Sequence, residues 1–243
     1  MKIFKILEVA VVAALMCVTF ISCNKEGDSN GDFSNQKKIV KFVETWDEEN
    51  PNIYSLHYDD DGRLIRVTSV DENGDSIDEI WTFIWGDDVI IERIDEWQYS
   101  IILENGLIQS STFDSGQEYT YNKSNRVIEL KYNGHGSEIK RCVWDGDKLV
   151  MVSSDIIGTI YTYDETCRNG YSPLIGRFID NDWLAIAHPE LIGARTNQLP
   201  ATYSRDDGLV SNYSYEFDSE GYVTKIIETD NGITYCTYSL TWN

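Results

Sequence analysis

The sequence predicts an all-β protein: an antiparallel meander of consecutive hairpins curled into a closed or partly open soluble barrel, with one short helical or loop insertion. Three observations carry this prediction. They are glycines at a regular spacing, apolar side chains that alternate with polar ones, and a recurring unit of aromatic, turn and aliphatic. Gly62, Gly74, Gly86, Gly106, Gly116, Gly134, Gly146 and Gly158 follow one another at intervals that are mostly 10 or 12 residues, and Gly208, Gly221 and Gly232 resume the rhythm. The two wider gaps hold turn formers of their own, Asp95-Glu96 and Lys123-Ser124-Asn125. Short strands at this spacing, joined by Asn-Gly and Asp-Gly turns, signal hairpins in series.

Between the turns, period two dominates. Val127-Ile128-Glu129-Leu130-Lys131-Tyr132 reads as a strand with Ile128, Leu130 and Tyr132 on one face and Glu129 and Lys131 on the other. Aromatics recur at every second position in Tyr119-Thr120-Tyr121 and in Thr159-Ile160-Tyr161-Thr162-Tyr163. One apolar and one polar face describe a sheet that is packed on one side and wet on the other. Aromatic and β-branched residues supply the strand preference.

A weak internal repeat spans about two strands. Its units are Tyr58–Leu64, Trp85–Val89, Tyr121–Val127, Trp144–Leu149 and Phe217–Val223, each an aromatic, a polar turn and an apolar restart. The aromatic ends one strand against the core, Asp, Asn or Gly makes the turn, and the aliphatic begins the return strand. Hairpins in sequence make a meander, and a long meander hides its edges by curling into a barrel.

The rhythm breaks from about Thr166 to Thr202, a segment with three of the four prolines, Pro173, Pro189 and Pro200. Residues 181–187 offer a short helix capped by Asn181 or Asp182. Leu174, Ile175, Ile179, Trp183, Leu184, Ile186, Leu191 and Ile192 make the segment too apolar for a free loop, so it is expected to plug or cover one end of the barrel, with a functional lid as the alternative.

The chain begins with Lys2 and Lys5 and an apolar run from Val9 to Ile21, 13 residues where a spanning helix needs ~20. A charged start, a short apolar stretch and a small residue before a cysteine define a secretory signal. Phe20-Ile21-Ser22-Cys23 resembles the lipobox of bacterial lipoproteins, with Phe20 in place of the usual Leu. The resemblance implies a signal over residues 1–22 and lipidation of Cys23. Several acyl chains on one residue, each buried methylene adding ~0.8 kcal/mol, would hold the protein on a membrane. Residues 23–35 are polar until Phe33 and read as a flexible tether, leaving 36–243 as one domain with its insertion at about 166–202. Lys25-Glu26 beside the acylated cysteine resembles the surface-export signal of Bacteroidetes lipoproteins, which implies the outer membrane and favours the cell surface over the periplasmic face. Tyr58–Leu64 looks like the tyrosine-aspartate repeats of large secreted bacterial toxins. The whole mature chain more closely resembles a family of Bacteroidetes lipoproteins of unknown function with a porin-like β fold. That resemblance rests on the lipobox, the aromatic–Asp–Gly hairpins and the break containing Thr196-Asn197-Gln198-Leu199-Pro200. It implies a barrel and brings no catalytic residues with it.

Removing residues 1–22, which hold Lys2, Lys5 and Glu8, leaves 221 residues with 18 basic and 40 acidic side chains, a net charge of −22. Such a surface repels nucleic acid and anionic lipid. Cys142, Cys167 and Cys236 are an odd number without CxxC spacing, and only His57, His135 and His188 are available, so neither a metal site nor a cofactor is expected. Asp71-Glu72-Asn73-Gly74-Asp75 starts like a calcium loop, but Ser76 and Thr82 stand where an EF-hand needs Gly and Glu. Asp59-Asp60-Asp61 and Asp145-Gly146-Asp147 fit turn chemistry. Asp75-Ser76-Ile77 matches a three-residue O-glycosylation pattern of exported Bacteroidetes proteins. No nucleophile elbow, P-loop or H-E-x-x-H occurs, and no carboxylate pair stands out as acid and base. Of 30 aromatic side chains, Trp81, Trp85, Trp97 and Trp144 are the candidates for stacking on a sugar ring or gripping a peptide, although their alternation on strands favours a barrel core.

The expected function is therefore a membrane-anchored, non-enzymatic binding module for a glycan or an envelope protein. A structural envelope component is the second reading and a hydrolase the third. Strands shorter than the ~10 residues of transmembrane barrels, with polar outer faces, favour a barrel that stands in water.

Overall fold

Asn105-Gly106 and Asn231-Gly232 each put two consecutive residues in the left-handed region, with φ of 53° and 77° in the first pair and 49° and 81° in the second. Positive φ at both central positions is the type I′ signature, and its twist matches that of the strands it joins. Asp95 and Asn125 adopt positive φ in the two wider glycine gaps. The computed structural model describes residues 37–46, 50–71, 76–113, 116–134, 138–155, 157–180 and 182–243, with the side chains of 76–80 left aside. The signal, Cys23, the tether, His135, most of the calcium-like loop and the Asp75-Ser76-Ile77 pattern lie outside what is described.

Sixteen strands follow in order. They are β1 (Ile39–Trp46), β2 (Asn52–Tyr58), β3 (Leu64–Val70), β4 (Ser76–Trp85), β5 (Val89–Ile94), β6 (Trp97–Glu104), β7 (Leu107–Ser111) and β8 (Gln117–Tyr121). The second half holds β9 (Val127–Tyr132), β10 (Ile139–Asp145), β11 (Lys148–Ser153), β12 (Gly158–Thr166), β13 (Gln198–Arg205), β14 (Val210–Phe217), β15 (Val223–Asp230) and β16 (Ile233–Trp242). Each pairs antiparallel with its neighbours in sequence, and β1 pairs with β16 through Phe42↔Leu240 and Glu44↔Tyr238, so the barrel is closed. Charged pairs bridge adjacent strands on the outer wall, among them Lys131–Glu118 at 3.7 Å, Arg141–Glu129 at 3.6 Å and Lys225–Glu216 at 3.3 Å.

The repeat has a physical basis at one end of the barrel, where the even-numbered strands finish. There an aromatic of every even strand but β6 donates a hydrogen bond to a main-chain carbonyl near the start of the preceding odd strand. The pairs are Tyr58 to Ile39, Trp85 to Leu64, Tyr121 to Ile108, Trp144 to Val127, Tyr163 to Leu149, Tyr215 to Pro200 and Trp242 to Val223, at 2.5 to 2.9 Å. The ring of aromatics thus packs its bodies on the core and satisfies its polar heads on the backbone. In β6 the place falls to Leu103, which packs against the core without a polar head.

Bulges precede several of these aromatics, between His57 and Tyr58, Thr120 and Tyr121, Val143 and Trp144, and Thr162 and Tyr163. A bulge adds a residue and shifts the inside–outside pattern. One sequence expectation changes as a result, on β9, and a second changes on β14 without a bulge before it. On β9 the fully buried residues are Val127 and Leu130, while Ile128 is only half-buried. On β14 the ring member is Tyr215, and Phe217 is exposed.

Between β12 and β13 the chain leaves the wall and fills the lumen. Pro173 starts α1 (Pro173–Ile179), where a proline suits the first turn. Asp182 caps α2 (Trp183–Ala187) by accepting from the Leu184 N–H at 2.8 Å, and a 3-10 turn follows at Pro189–Ile192. Leu174, Ile175, Ile179, Leu184, Ile186 and Ile192 are buried inside the barrel. Polar anchors tie this plug to the wall. The Leu64 N–H donates to His188 Nε2 at 3.0 Å, Arg126 Nη1 donates to the carbonyls of Gly193 and Arg195, and Arg177 pairs with Glu44. Tyr161 stacks on Phe178 at 4.7 Å between centroids. Cys142, Cys167 and Cys236 are free and buried.

The two helices cross so closely that a Cβ on Gly176 would lie 1.9 Å from the Ala185 carbonyl oxygen. Gly176→Ala is therefore expected to cost on the order of 3 kcal/mol by forcing the plug apart. Gly158→Ala, where the nearest atom would be Asp206 Oδ2 at 3.6 Å, is expected to be close to neutral. Chemical denaturation of both variants checks the contrast.

Candidate functional site

The plug leaves one end of the lumen unfilled. Because α1 enters from the aromatic ring and α2 runs back to it, the turn between them is the deepest point of the insertion. That turn presents Asp180, Asp182 and Trp183 to a half-open cavity of about 340 Å³. The wall around it comes from β4, β5, β8, β9 and β10 and the segment after β7. These contribute Trp81, Glu92, Ile94, Phe113, Gln117, Tyr132 and Lys140. Ile94 ends β5, Tyr132 ends β9 and Gln117 begins β8, so the cavity lies toward the end opposite the aromatic ring. Trp183 is held by rings on three sides, with centroids 4.6 Å from Tyr54 and 5.9 Å from both Trp81 and Phe42.

Glu92 is the unusual group. It shares the inward face of β5 with Ile90, is 3% exposed, and sits across the ladder from Phe83 and Tyr99. Among the described residues no hydrogen bond or ion pair reaches its carboxyl. Burial, with the nearby Asp182 and Asp180 adding to it, pushes its pKa from 4.5 up to about 9. Burial and the Asp180 charge likewise push Asp182 up to about 7, opposed by the bond it accepts from the Leu184 N–H. Asp180 is raised by burial, against the hydroxyl that Tyr119 donates to it and the charge of Lys140. Lys140 donates to the Ile179 carbonyl at 3.3 Å and lies 5.3 Å from the Tyr132 ring.

The four tryptophans picked from the sequence do not form one site. Trp81 lines the cavity. Trp97 opens β6 at the rim of the same end, 64% exposed, and is not part of the lining. Trp85 and Trp144 lie at the other end, in the aromatic ring, where they donate to backbone carbonyls and carry Arg63 and Arg126 over their faces. Sequence reasoning missed Glu92, Asp180, Asp182, Trp183 and Lys140. The readable signal was an acid on the apolar face of Ile90-Ile91-Glu92-Arg93-Ile94. The other four depend on where the plug comes to rest.

An aromatic floor with carboxyls and a single lysine suits holding a small polar or charged group by contact and hydrogen bonding. Among the described residues no group of three or more His, Cys, Asp or Glu is placed to hold a metal ion.

An acid whose pKa is higher in the folded than in the unfolded chain lends its stability below the unfolded value and loses it as pH rises through the folded one. For Glu92 that window runs from about 4.5 to about 9. Each proton the fold retains there costs about 1.4 kcal/mol per pH unit. Glu92→Gln removes the burden, so the variant is expected to melt above the parent at pH 8 and close to it at pH 4. Thermal unfolding at the two pH values checks this.

No protein-family model matches the chain, and no curated protein matches it. Solved structures do. The chain is similar to a porin-like protein from Bacteroides uniformis at 15% identity, with a TM-score of 0.65 over 84% of this chain and 96% of that one. It is also similar to a porin-like protein from Bacteroides vulgatus at 17% identity, with a TM-score of 0.60 over 86% of this chain and 99% of that one. At such identity the likeness is one of fold, and the fold this chain shares with both proteins is the porin-like closed β-barrel.

Proposed function

We propose that this protein is a lipid-anchored, exported barrel that works as a non-enzymatic binding module, with its ligand seated in the lumen cavity. The observation that carries the reading is the cavity itself. The plug seals the aromatic end with packed side chains, yet stops short at the other end, where its Asp182 and Trp183 line the gap together with Trp81 and Glu92 of the wall, Glu92 having no partner among the described residues. A packed core needs no such gap. At about 340 Å³ it falls within the usual range of ligand pockets and accepts one sugar residue or one terminal group of a larger partner. A glycan or an envelope protein offers such a group.

The outer wall supports a barrel that stands in water. Lys131, Glu118, Arg141 and Glu129 lie on its outer face, and a basic side chain at the middle of a lipid-facing wall costs ~2–4 kcal/mol. Attachment then falls to the acyl chains on Cys23, with the outer membrane as the site and the cell surface as the favoured face. The lipobox reading of residues 20–23 supports this, and the porin-like fold is compatible with it.

Two measurements test the proposal. Thermal shift of the protein against oligosaccharides, amines and peptides is expected to give a reproducible gain with one class. A ligand at 100 times its Kd adds ~2.7 kcal/mol. Silence across all classes would leave the structural-component reading standing instead. Separately, Cys23→Ala is expected to move the protein from the membrane to the soluble fraction, and unchanged membrane association would remove the lipid anchor from the account.

A further inference from the structure

The chemistry of the cavity is lopsided. Among the described residues three carboxyls approach it, Glu92 from the wall and Asp180 and Asp182 from the plug, against one cation, Lys140. Two of the carboxyls have work to do in the apo fold. Asp180 accepts from Tyr119, and Asp182 caps α2. Glu92 has none. It is 97% removed from water, it lines the cavity, and neither a hydrogen bond nor an ion pair reaches it among the described residues. Its carboxyl meets the half-open cavity and no described protein group, and an acid so placed in a native fold calls for an explanation. A ligand that supplies the missing partner is one.

The walls indicate the kind of partner. Rings of Trp81, Trp183, Tyr132 and Phe113 surround the acids. Aromatic faces beside carboxylates are how proteins hold ammonium groups, because the ring quadrupole and the carboxylate both attract diffuse positive charge. A hard divalent ion wants six or more oxygens and gains little from indoles. An anion would meet three acids.

We propose that the lumen cavity binds a small organic cation, an ammonium head group held by Glu92 and Asp182 and enclosed by Trp81 and Trp183. This inference rests on the binding-module reading and specifies its ligand. The cation provides Glu92 with the counter-charge that the fold withholds.

Binding is linked to protons. Several titratable groups face Glu92. Asp180 and Asp182 come from the plug, Tyr99 from β6, Tyr119 from β8, Tyr132 from β9 and Lys140 from β10. Burial, with the acids of the plug adding to it, keeps Glu92 protonated at neutral pH. An arriving cation favours the carboxylate, so Glu92 gives up its proton to water as the ligand binds. Affinity for a cation that does not itself titrate therefore rises about tenfold per pH unit from pH 7 to about 9, then levels off. A neutral ligand that needs Glu92 as a hydrogen-bond donor would weaken over the same range.

The test is calorimetric titration of the full chain with tetramethylammonium, choline and glucosamine, each read also by the fluorescence of Trp183 and its neighbours. The neutral counterparts are 3,3-dimethylbutan-1-ol for choline and N-acetylglucosamine for glucosamine. The expected result has four parts. At least one cation binds saturably. Its neutral counterpart binds tenfold or more weaker. Choline affinity climbs with pH, with up to one proton released. Glu92→Gln, the same shape without the charge, loses at least tenfold in affinity and the pH dependence while keeping a cooperative thermal transition. Asp182→Asn, which preserves the helix cap, shows a smaller loss. Equal binding of a cation and its neutral counterpart, or a pH-independent cation affinity, overturns the cation assignment. If N-acetylglucosamine or another neutral sugar binds and no cation does, the cation assignment falls and the binding-module reading survives. If no probe of any class binds, both fall. Glucosamine binding without choline binding points to an amine carried on a glycan, and the reverse points to a free small amine.

Discussion

A closed barrel of sixteen strands is too wide for its own side chains to fill, and the rest of this structure follows from that width. Eight strands enclose a space that side chains can pack, whereas sixteen to eighteen leave a channel. Here the insertion after β12 occupies the channel, and the apolar content of that segment is what makes it stay there. Leu174, Ile175, Ile179, Leu184 and Ile192 face wall residues such as Leu64, Val127, Leu130 and Leu149 in one continuous core. Wall and plug are each unstable alone: the wall would enclose wet apolar surface and the plug would expose it. Fully burying an aliphatic side chain is worth ~1.5–3 kcal/mol, so the set together holds the insertion in place against its conformational entropy.

The aromatic ring shows how a repeating sequence handles the open ends of a barrel. At the end of a strand the ladder runs out and main-chain carbonyls lose their partners. Tyr and Trp solve two problems with one residue there, an apolar body for the core and a donor for the carbonyl. The mixture of Tyr and Trp around the ring shows that the donor and the size matter, and not the particular ring. Leu103 marks the place where packing alone suffices. The plug's own entry and exit are fitted into the same end, with a Cβ on Gly193 excluded by the Asn125 carbonyl at 1.7 Å.

At the opposite end the plug stops short, and the chemistry changes from satisfied to strained. Most buried polar groups of the lumen have partners: Glu44 has Arg177, His188 has the Leu64 N–H and Asp180 has Tyr119. Glu92 breaks the pattern on a strand whose inward face is otherwise aliphatic. Burial raises Glu92 and Asp182, and the charge of Asp180 adds to both shifts, so the two acids favour their protonated forms until a counter-charge enters. Local instability of this kind concentrates where proteins bind or react.

The sequence by itself determined the strand-rich class, the hairpin order and the curling into a barrel, because turns and period-two alternation are local and their geometry is set by neighbouring residues, whereas the pairing of β1 with β16 that closes the barrel belongs to the tertiary structure. Asn105-Gly106, Asn231-Gly232 and the aromatic-to-aliphatic units at Tyr58, Trp85, Tyr121 and Trp144 were all legible for that reason. Tyr163 escaped the same reading because no tight turn follows it, and Phe217 stood in for Tyr215 because both share one side of the period-two pattern and only the barrel shows which of them reaches the Pro200 carbonyl. What only the tertiary structure decided is the site. Trp81 and Trp97 lie toward one end and Trp85 and Trp144 at the other, and no spacing in the chain distinguishes them. Glu92 is separated from Asp180 and Asp182 by almost ninety residues, and they meet because α1 is long enough to carry the turn that follows it deep into the lumen. Contacts of that range are set by the width of the barrel and the packing of the plug, which belong to the folded molecule as a whole.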